Sequence, residues 1–404
     1  MGKAGQTPDP VTAPRIYLDH AGATPVPPDL DQELASLAGT NWANPSSPHA
    51  EGRTALALMD QARDRLAQVL KVVNSELVFT SSGTEAVNLA IGGAAAKGAR
   101  LTGRHHLITW QAEHQSVLES HRRLELAGFE VTYLPVDGQC RVDLDQLQAT
   151  LRQDTALVSI GLSNNEVGTV HPTTEIAELV HQCGPALVFV DACQGPAWME
   201  FSPSDSGADL ASFSGHKSYG PPGSGALWLR SGVSIDPLVV GGPQERGRRA
   251  GNLNPAACWG LALGLEYGRC QRTEQADRLR RMRSWLTGRL CDRLPNISIS
   301  GALENRLVNH ISLVVDGILG EDMLIALDLR GLAASSGSAC ASGSLDPSHV
   351  LLAMGYSLEQ ARQSLRLTLG YDTTWQQVET AADTIAEVLG GLATVGTSAA
   401  GLRR

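Results

Sequence analysis

The sequence predicts an α/β fold built on a mainly parallel seven-stranded sheet, with a smaller α/β unit on its C-terminal side. Three observations carry that expectation. Short apolar runs recur, each followed by a turn and then a helical pattern, as successive βαβ units require. The run Ala186–Val190 is apolar at every position, which suits a parallel strand covered on both faces. Glycine is abundant (42 of 404 residues) and aromatics are scarce (4%), which fits many tight strand-to-helix turns better than an all-β sandwich.

The expected strands of the large sheet are Leu77–Thr80, His106–Trp110, Val131–Val136, Ala156–Ile160, Ala186–Val190, Leu210–Phe213 and Ala226–Leu229. Helical periodicity lies between them, for example over Ala86–Ala96 and Thr174–Cys183. After about residue 265 the pattern changes. A long charged helix over Thr273–Leu290 leads to strands at His310–Val315 and Ser364–Leu369, with helices at Asp322–Leu329 and Leu358–Gln363. This divides the chain into a large domain over 29–265 and a small C-terminal domain over 266–404, which residues 1–28 are expected to join.

Composition excludes several function classes. A net charge of −10 offers no basic footprint for a phosphate backbone, so no nucleic-acid partner is expected. The arginine-rich stretch Arg278, Arg280, Arg281, Arg283 reads as a solvated helix face. No apolar run reaches membrane-spanning length, and Met1–Pro14 lacks the apolar core of a signal peptide. Gly2 begins a myristoylation-like start, but Gln6 stands where that motif needs Ser or Thr. The seven cysteines are odd in number and form no Cys-x-x-Cys pair, which points to a reducing compartment; a cytoplasmic location is expected.

Five short motifs could carry chemistry. Ser214-Gly215-His216-Lys217 follows a strand, where a lysine kept from water could serve as a Schiff-base amine; a surface turn lysine is the plainer alternative. Asp191-Ala192-Cys193-Gln194 follows the most apolar strand, at the carboxyl end where open α/β sheets place ligands. Asp191 suits either a cofactor's ring nitrogen or a helix N-cap, and its residue type leaves both open. Thr80-Ser81-Ser82-Gly83-Thr84-Glu85 reads as strand, turn and helix start. Its amides and hydroxyls could cradle a phosphate, while Ser81 or Ser82 with Glu85 could form a capping box. Glu113-His114 and Asn164-Asn165-Glu166-Val167-Gly168 each follow a strand and are ambiguous alone. Finally, Ser335–Ser344 consists almost wholly of small residues around Cys340, so it is expected to be exposed and to leave that thiol free as a nucleophile. The other six cysteines read as packing residues.

In this order, the motifs resemble those of the cysteine desulfurases (NifS- and IscS-like) of the class V aminotransferase family. The resemblance runs from Tyr17-Leu18-Asp19 to about Gly370 and also includes Asn44-Pro45-Ser46-Ser47, Gln244-Glu245-Arg246-Gly247 and Leu365-Arg366-Leu367. It implies the type I fold of pyridoxal 5'-phosphate-dependent transferases, conversion of L-cysteine to L-alanine, and transfer of sulfur as a Cys340 persulfide to an acceptor protein or iron–sulfur scaffold. Lys217 would hold the cofactor covalently. His114 would stack on its ring and help move protons, Asp191 would face the ring nitrogen and Gln194 the ring oxygen. Gly83, Thr84, Ser214 and His216 would hold the phosphate, and Asn165 and Arg366 the substrate carboxylate. A homodimer is implied too. Asn252 stands where relatives place a threonine that reaches the neighbouring subunit's cofactor. The opening Asp19–Thr24 also looks like that of molybdenum-cofactor sulfurases, and the tail Gly390–Arg404 does not resemble the extension with which housekeeping relatives dock a scaffold. A selenocysteine lyase or a cystine lyase on the same fold, or a non-catalytic sulfur-pathway scaffold, are the competing readings.

Overall fold

The computed structural model describes residues 15–337 and 346–401. Twelve strands in this part are β1 (Ile16–Tyr17), β2 (Leu77–Thr80), β3 (His106–Trp110), β4 (Glu130–Leu134), β5 (Thr155–Gly161), β6 (Leu187–Asp191), β7 (Leu210–Ser214), β8 (Gly225–Leu229), β9 (Ile297–Ile299), β10 (His310–Val315), β11 (Leu332–Ala333) and β12 (Ser364–Thr368). Seven of them form one sheet in the order β2-β8-β7-β6-β5-β3-β4. Only β8 runs against its neighbours, pairing antiparallel with β2 and β7, while the remaining pairs are parallel.

Alternation along the strands divides the core into two layers. Phe79, Ile108, Val188, Val190 and Phe213 point into one layer, and their neighbours Val78, Leu107, Phe189 and Leu210 into the other. The first layer is closed by the helix Ala50–Leu70 and the start of Pro255–Arg293, the second by the helix Gly83–Thr102. Both faces of the inner strands are therefore dry, which is why those strands read as largely apolar runs, while β4 at the edge stays partly exposed.

A third cluster surrounds the antiparallel sheet β12-β10-β9. The helix Pro255–Arg293 serves both bodies. Cys258, Leu261, Ala262 and Leu265 pack against the large sheet, and Leu279, Met282, Leu286 and Leu290 against the small one. The sequence pattern shows only the second half of this helix, because its first half has buried glycines and alanines and little amphipathic contrast. The strand expected at Val131–Val136 is shifted to Glu130–Leu134, since Pro135 has no N–H to extend the ladder.

At the start of the described chain, β1 pairs parallel with β11, and His20 bonds through Nδ1 to the Thr368 carbonyl at 3.0 Å. Two expectations need correction. Arg278 and Arg283 do not decorate a solvated face: Arg278 donates to the carbonyls of Thr373 and Tyr371, and Arg283 to that of Leu307, tying the helix to adjoining chain. Cys270 and Cys291 are exposed, so they are not core packing.

Candidate active site

The strands β2, β3, β5, β6 and β7 all end on one side of the sheet, and the candidate residues lie at or after those ends, except Arg366, which comes from the small sheet. The crevice beyond the carboxyl ends of parallel strands is where such sheets place ligands. Gly83, Thr84, His114, Asn165, Asp191, Ser214, His216, Lys217 and Arg366 line one cleft of about 270 Å³. Gln194 lines the chamber directly behind it, together with Glu113, His114, Asn165, Asp191 and Lys217. Every candidate except Cys340 is thus brought together. Cys340 lies outside the described residues.

Each side chain is set by a local device. The helix Gly83–Thr102 begins with Ser82 as its N-cap, accepting from Glu85 N, while Glu85 Oε2 accepts from Ser81 N and Oγ at 2.7 and 2.6 Å. Both serines therefore serve the cap, and the exposed helix N-terminus faces the cleft with the amides of its first turn. A side chain at Gly83 would run into Cys193 Sγ at 2.4 Å, so this approach requires glycine. Ser214 Oγ and His216 Nδ1 lie 3.2 Å apart on the facing turn.

Asp191 accepts from Ser212 Oγ at 2.7 Å and from Cys193 N at 3.1 Å, both on Oδ1. It caps no helix; the bonds orient the carboxylate at the cleft floor. Gln194 Nε2 donates to the Ala21 carbonyl at 2.6 Å, whereas its Oε1 is buried with no partner among the described residues. A buried amide oxygen left unpaired is costly, so it marks a position where a bound group is expected.

His114 is the N-cap of the helix Gln115–Leu126, and its Nδ1 accepts from Ser116 N at 3.1 Å. That bond leaves the ring proton on Nε2. Burial, reinforced by the charge of Lys217, pushes its pKa down to about 4, so the ring is neutral. The loop carrying His114 is held by Asn164, whose Nδ2 donates to Ala112 O at 2.9 Å and whose Oδ1 caps Glu166 N and Val167 N.

Arg366 comes from the centre of β12 and is 3% exposed. It donates to Asn165 O at 2.9 Å and to Asp19 Oδ1 at 2.8 Å, and its Nε has no partner among the described residues. Asn165 therefore meets Arg366 through its backbone carbonyl. Ser335 exchanges both backbone bonds with Arg366. Ser335 and Ser336 are buried at 3% and 8%, contrary to the exposure expected for that segment, because this pairing extends the small sheet.

Sequence reasoning missed several residues here. Asp19, Ala21 and Thr24 reach the site from the start of the chain, and only their long-range contacts show it. Glu113 and Glu166 are fully enclosed: burial pushes Glu113 up to about 8, with the charge of Asp191 adding to it, and Glu166 up to about 7. Their signal was their place in the two ambiguous motifs. His349 Nε2 bonds the Glu113 carbonyl at 2.8 Å. Cys193, read as a packing residue, does line the cleft; burial raises its thiol well above the usual range, so it is an inert wall.

A cleft at the carboxyl ends of a mainly parallel sheet, lined by a lysine, a buried aspartate and the start of a helix, is where a fold of this class places its ligand. The model of the class-V aminotransferase family matches residues 16–380, and the chain belongs to that family. It is 38% identical over 380 residues to a protein named cysteine desulfurase IscS from Dictyoglomus turgidum, covering 94% of this chain and 96% of that one. A cysteine desulfurase IscS 1 from Archaeoglobus fulgidus is also 38% identical, over 93% and 96% of the two chains. A solved NifS-like protein superposes with a TM-score of 0.87 at 34% identity, covering 93% of this chain and all of that one.

Proposed function

We propose that this protein is a pyridoxal-phosphate-dependent cysteine desulfurase that passes sulfur to an acceptor through Cys340. The observation that carries the reading is the convergence of Lys217, Asp191, His114 and Arg366 on one cleft at a helix N-terminus, with Gln194 in the chamber behind it. The residues fit the cofactor. Gly83, Thr84, Ser214 and His216 offer amides and hydrogen-bonding side chains for a phosphate, Asp191 a carboxylate for a ring nitrogen, and the unpaired Gln194 Oε1 an acceptor for a ring hydroxyl. When bound, pyridoxal phosphate supplies an electron sink for the pair released at the substrate Cα.

The chain's own groups then divide the work. Arg366 binds the L-cysteine carboxylate, with the turn at Asn165 holding its guanidinium. Lys217 takes the Cα proton and returns it. His114 would face the cofactor ring with the Nε2–H that its Nδ1 bond to Ser116 N leaves free, as a neutral imidazole before substrate binds. Thiolate Cys340 attacks the substrate sulfur. A sulfur–sulfur bond forms as the carbon–sulfur bond breaks, and the released electron pair stays with the carbon skeleton, which takes protons to become L-alanine.

The division into 1–28, 29–265 and 266–404 belongs to this reading and is supported by separate apolar clusters around the two sheets. So do a homodimer, a cytoplasmic location and an acceptor such as an iron–sulfur scaffold. The six described cysteines are free thiols, and no helix among the described residues is long and apolar enough to cross a membrane. No observation favours selenocysteine or cystine as substrate.

The test combines two variants. Lys217→Ala is expected to lose the visible absorption of the bound cofactor together with all turnover. Cys340→Ser is expected to keep the absorption and to gain no sulfur atom in the mass spectrum after cysteine exposure. Full sulfide release by Cys340→Ser would remove the persulfide step from the scheme.

A further inference from the structure

We propose that Thr24 is a positioning residue for Lys217, clamping the backbone on both sides of the lysine; this rests on reading Lys217 as the cofactor-holding residue. Thr24 is 5% exposed. Its hydroxyl donates to the His216 carbonyl at 3.1 Å and accepts from the Tyr219 amide at 2.6 Å. Its own amide donates to the same His216 carbonyl at 2.7 Å. One hydroxyl can do both because it carries a donor and two acceptor sites.

The clamped segment needs outside support. Lys217 sits in a single 3-10 turn, Gly215–Lys217, closed by the bonds Ser218 N to Gly215 O and Gly220 N to Gly215 O at 2.8 and 2.9 Å. Tyr219 has φ 62°, a left-handed conformation that a residue with a β-carbon adopts only where its surroundings over-determine it. Two contacts do so: the Thr24 hydroxyl on the Tyr219 amide, and Tyr371, whose amide donates to Tyr219 Oη at 3.0 Å while the two rings stack at 5.4 Å. The lysine's Cα is thus positioned by a residue far away in the chain.

The same short segment touches the other working residues. Asp19 pairs with Arg366, and the Ala21 carbonyl receives Gln194 Nε2. Thr24 fixes the third point, so the start of the chain sets the distance between the lysine and the carboxylate-binding arginine. Removing the hydroxyl takes away no side chain that lines the cleft; it frees the backbone of the turn that carries His216 and Lys217. It should impair the positioning of the amine and leave substrate affinity alone.

The experiment compares the full-length parent with Thr24→Val, which keeps the shape and loses both hydroxyl bonds, and Thr24→Ser, which keeps them. The chain contains only four lysines, Lys3, Lys71, Lys97 and Lys217, so peptide mapping reads each one. Cofactor-free protein is treated with pyridoxal phosphate, reduced with borohydride and mapped across a pH series. Lys217 in Thr24→Val should label about tenfold more slowly than in the parent, with Lys71 as internal reference and Thr24→Ser within about twofold of the parent. In the loaded enzyme, kcat should fall about tenfold in Thr24→Val while KM for cysteine moves less than about twofold. Parent-like labelling at every pH by a folded Thr24→Val overturns the clamp. A parent that does not label Lys217 overturns the assignment of the lysine instead. If the valine variant does not fold, hydrogen exchange at the Tyr219 amide of the parent decides: strong protection supports the clamp, and exchange at the rate of an exposed amide overturns it.

Discussion

The guanidinium of Arg366 is held by Asp19, with Nη2 2.8 Å from Oδ1, across 347 positions of sequence. A second bond to Asn165 O fixes the fork, and Nε is buried with no partner among the described residues. The arginine is therefore pre-oriented at the edge of the cleft with donor capacity left over. Lysine there would keep the charge but lose the planar fork. Arg366→Lys is expected to raise KM for cysteine about tenfold or more, the equivalent of losing a charge-assisted bond worth roughly 1.5–3 kcal/mol. Steady-state kinetics check this, and an unchanged KM would take Arg366 out of substrate binding.

Glu245 is expected to matter for stability. It sits at φ 48° with its carboxylate bonded to both Arg63 Nη atoms, at 3.1 and 2.5 Å, and to Phe79 N at 2.8 Å. Arg63 also donates to Leu77 O, so this buried pair pins the 244–247 turn to the edge strand β2. Glu245→Ala leaves a buried guanidinium uncompensated and should cost about 3–5 kcal/mol. Urea unfolding would show this as a lower midpoint at unchanged slope.

Acid should unfold the protein in a defined window. Burial pushes His114, His121 and His171 down to about 4 and His310 to about 3, from the ordinary value of 6.5. Between those values the unfolded chain binds more protons than the folded one, so stability falls as pH drops from 6.5 towards 4. Thermal melting temperatures are expected to decline steeply over that range. A flat profile would contradict the neutral buried imidazoles.

Glu113 has the opposite sign. Its folded pKa of about 8 lies above the ordinary 4.5, so the folded state holds the extra proton. Its contribution is fully present below about 4.5 and is lost as pH rises towards 8. Glu113→Gln mimics the protonated form at every pH. Relative to the parent, it should gain stability across that window by roughly 1.4 kcal/mol per pH unit. Denaturation at pH 5 and pH 8 compares the two.

Much of this architecture is legible without coordinates. The inner strands of the large sheet follow largely apolar runs, because a strand covered on both faces needs them, whereas the edge strand β4 stays partly exposed. The cleft residues other than Arg366 follow the ends of those strands, where local chemistry and chain order agree. The first half of the helix Pro255–Arg293 was not legible, because alanine and glycine give it no contrast between faces. Nor was the burial of Ser335 and Ser336, since small polar residues look alike in a loop and in a sheet.

The sequence by itself determined the alternation of strands and helices and the ordered motifs that carry the family resemblance, because period and side-chain type are local properties. Tertiary structure alone decided that Asp19, Ala21 and Thr24 brace Arg366, Gln194 and the Lys217 turn, and that burial pushes the Glu113 and Glu166 carboxyls up. Those outcomes depend on which distant segments meet and how much water they exclude, and neither is set until the chain closes on itself.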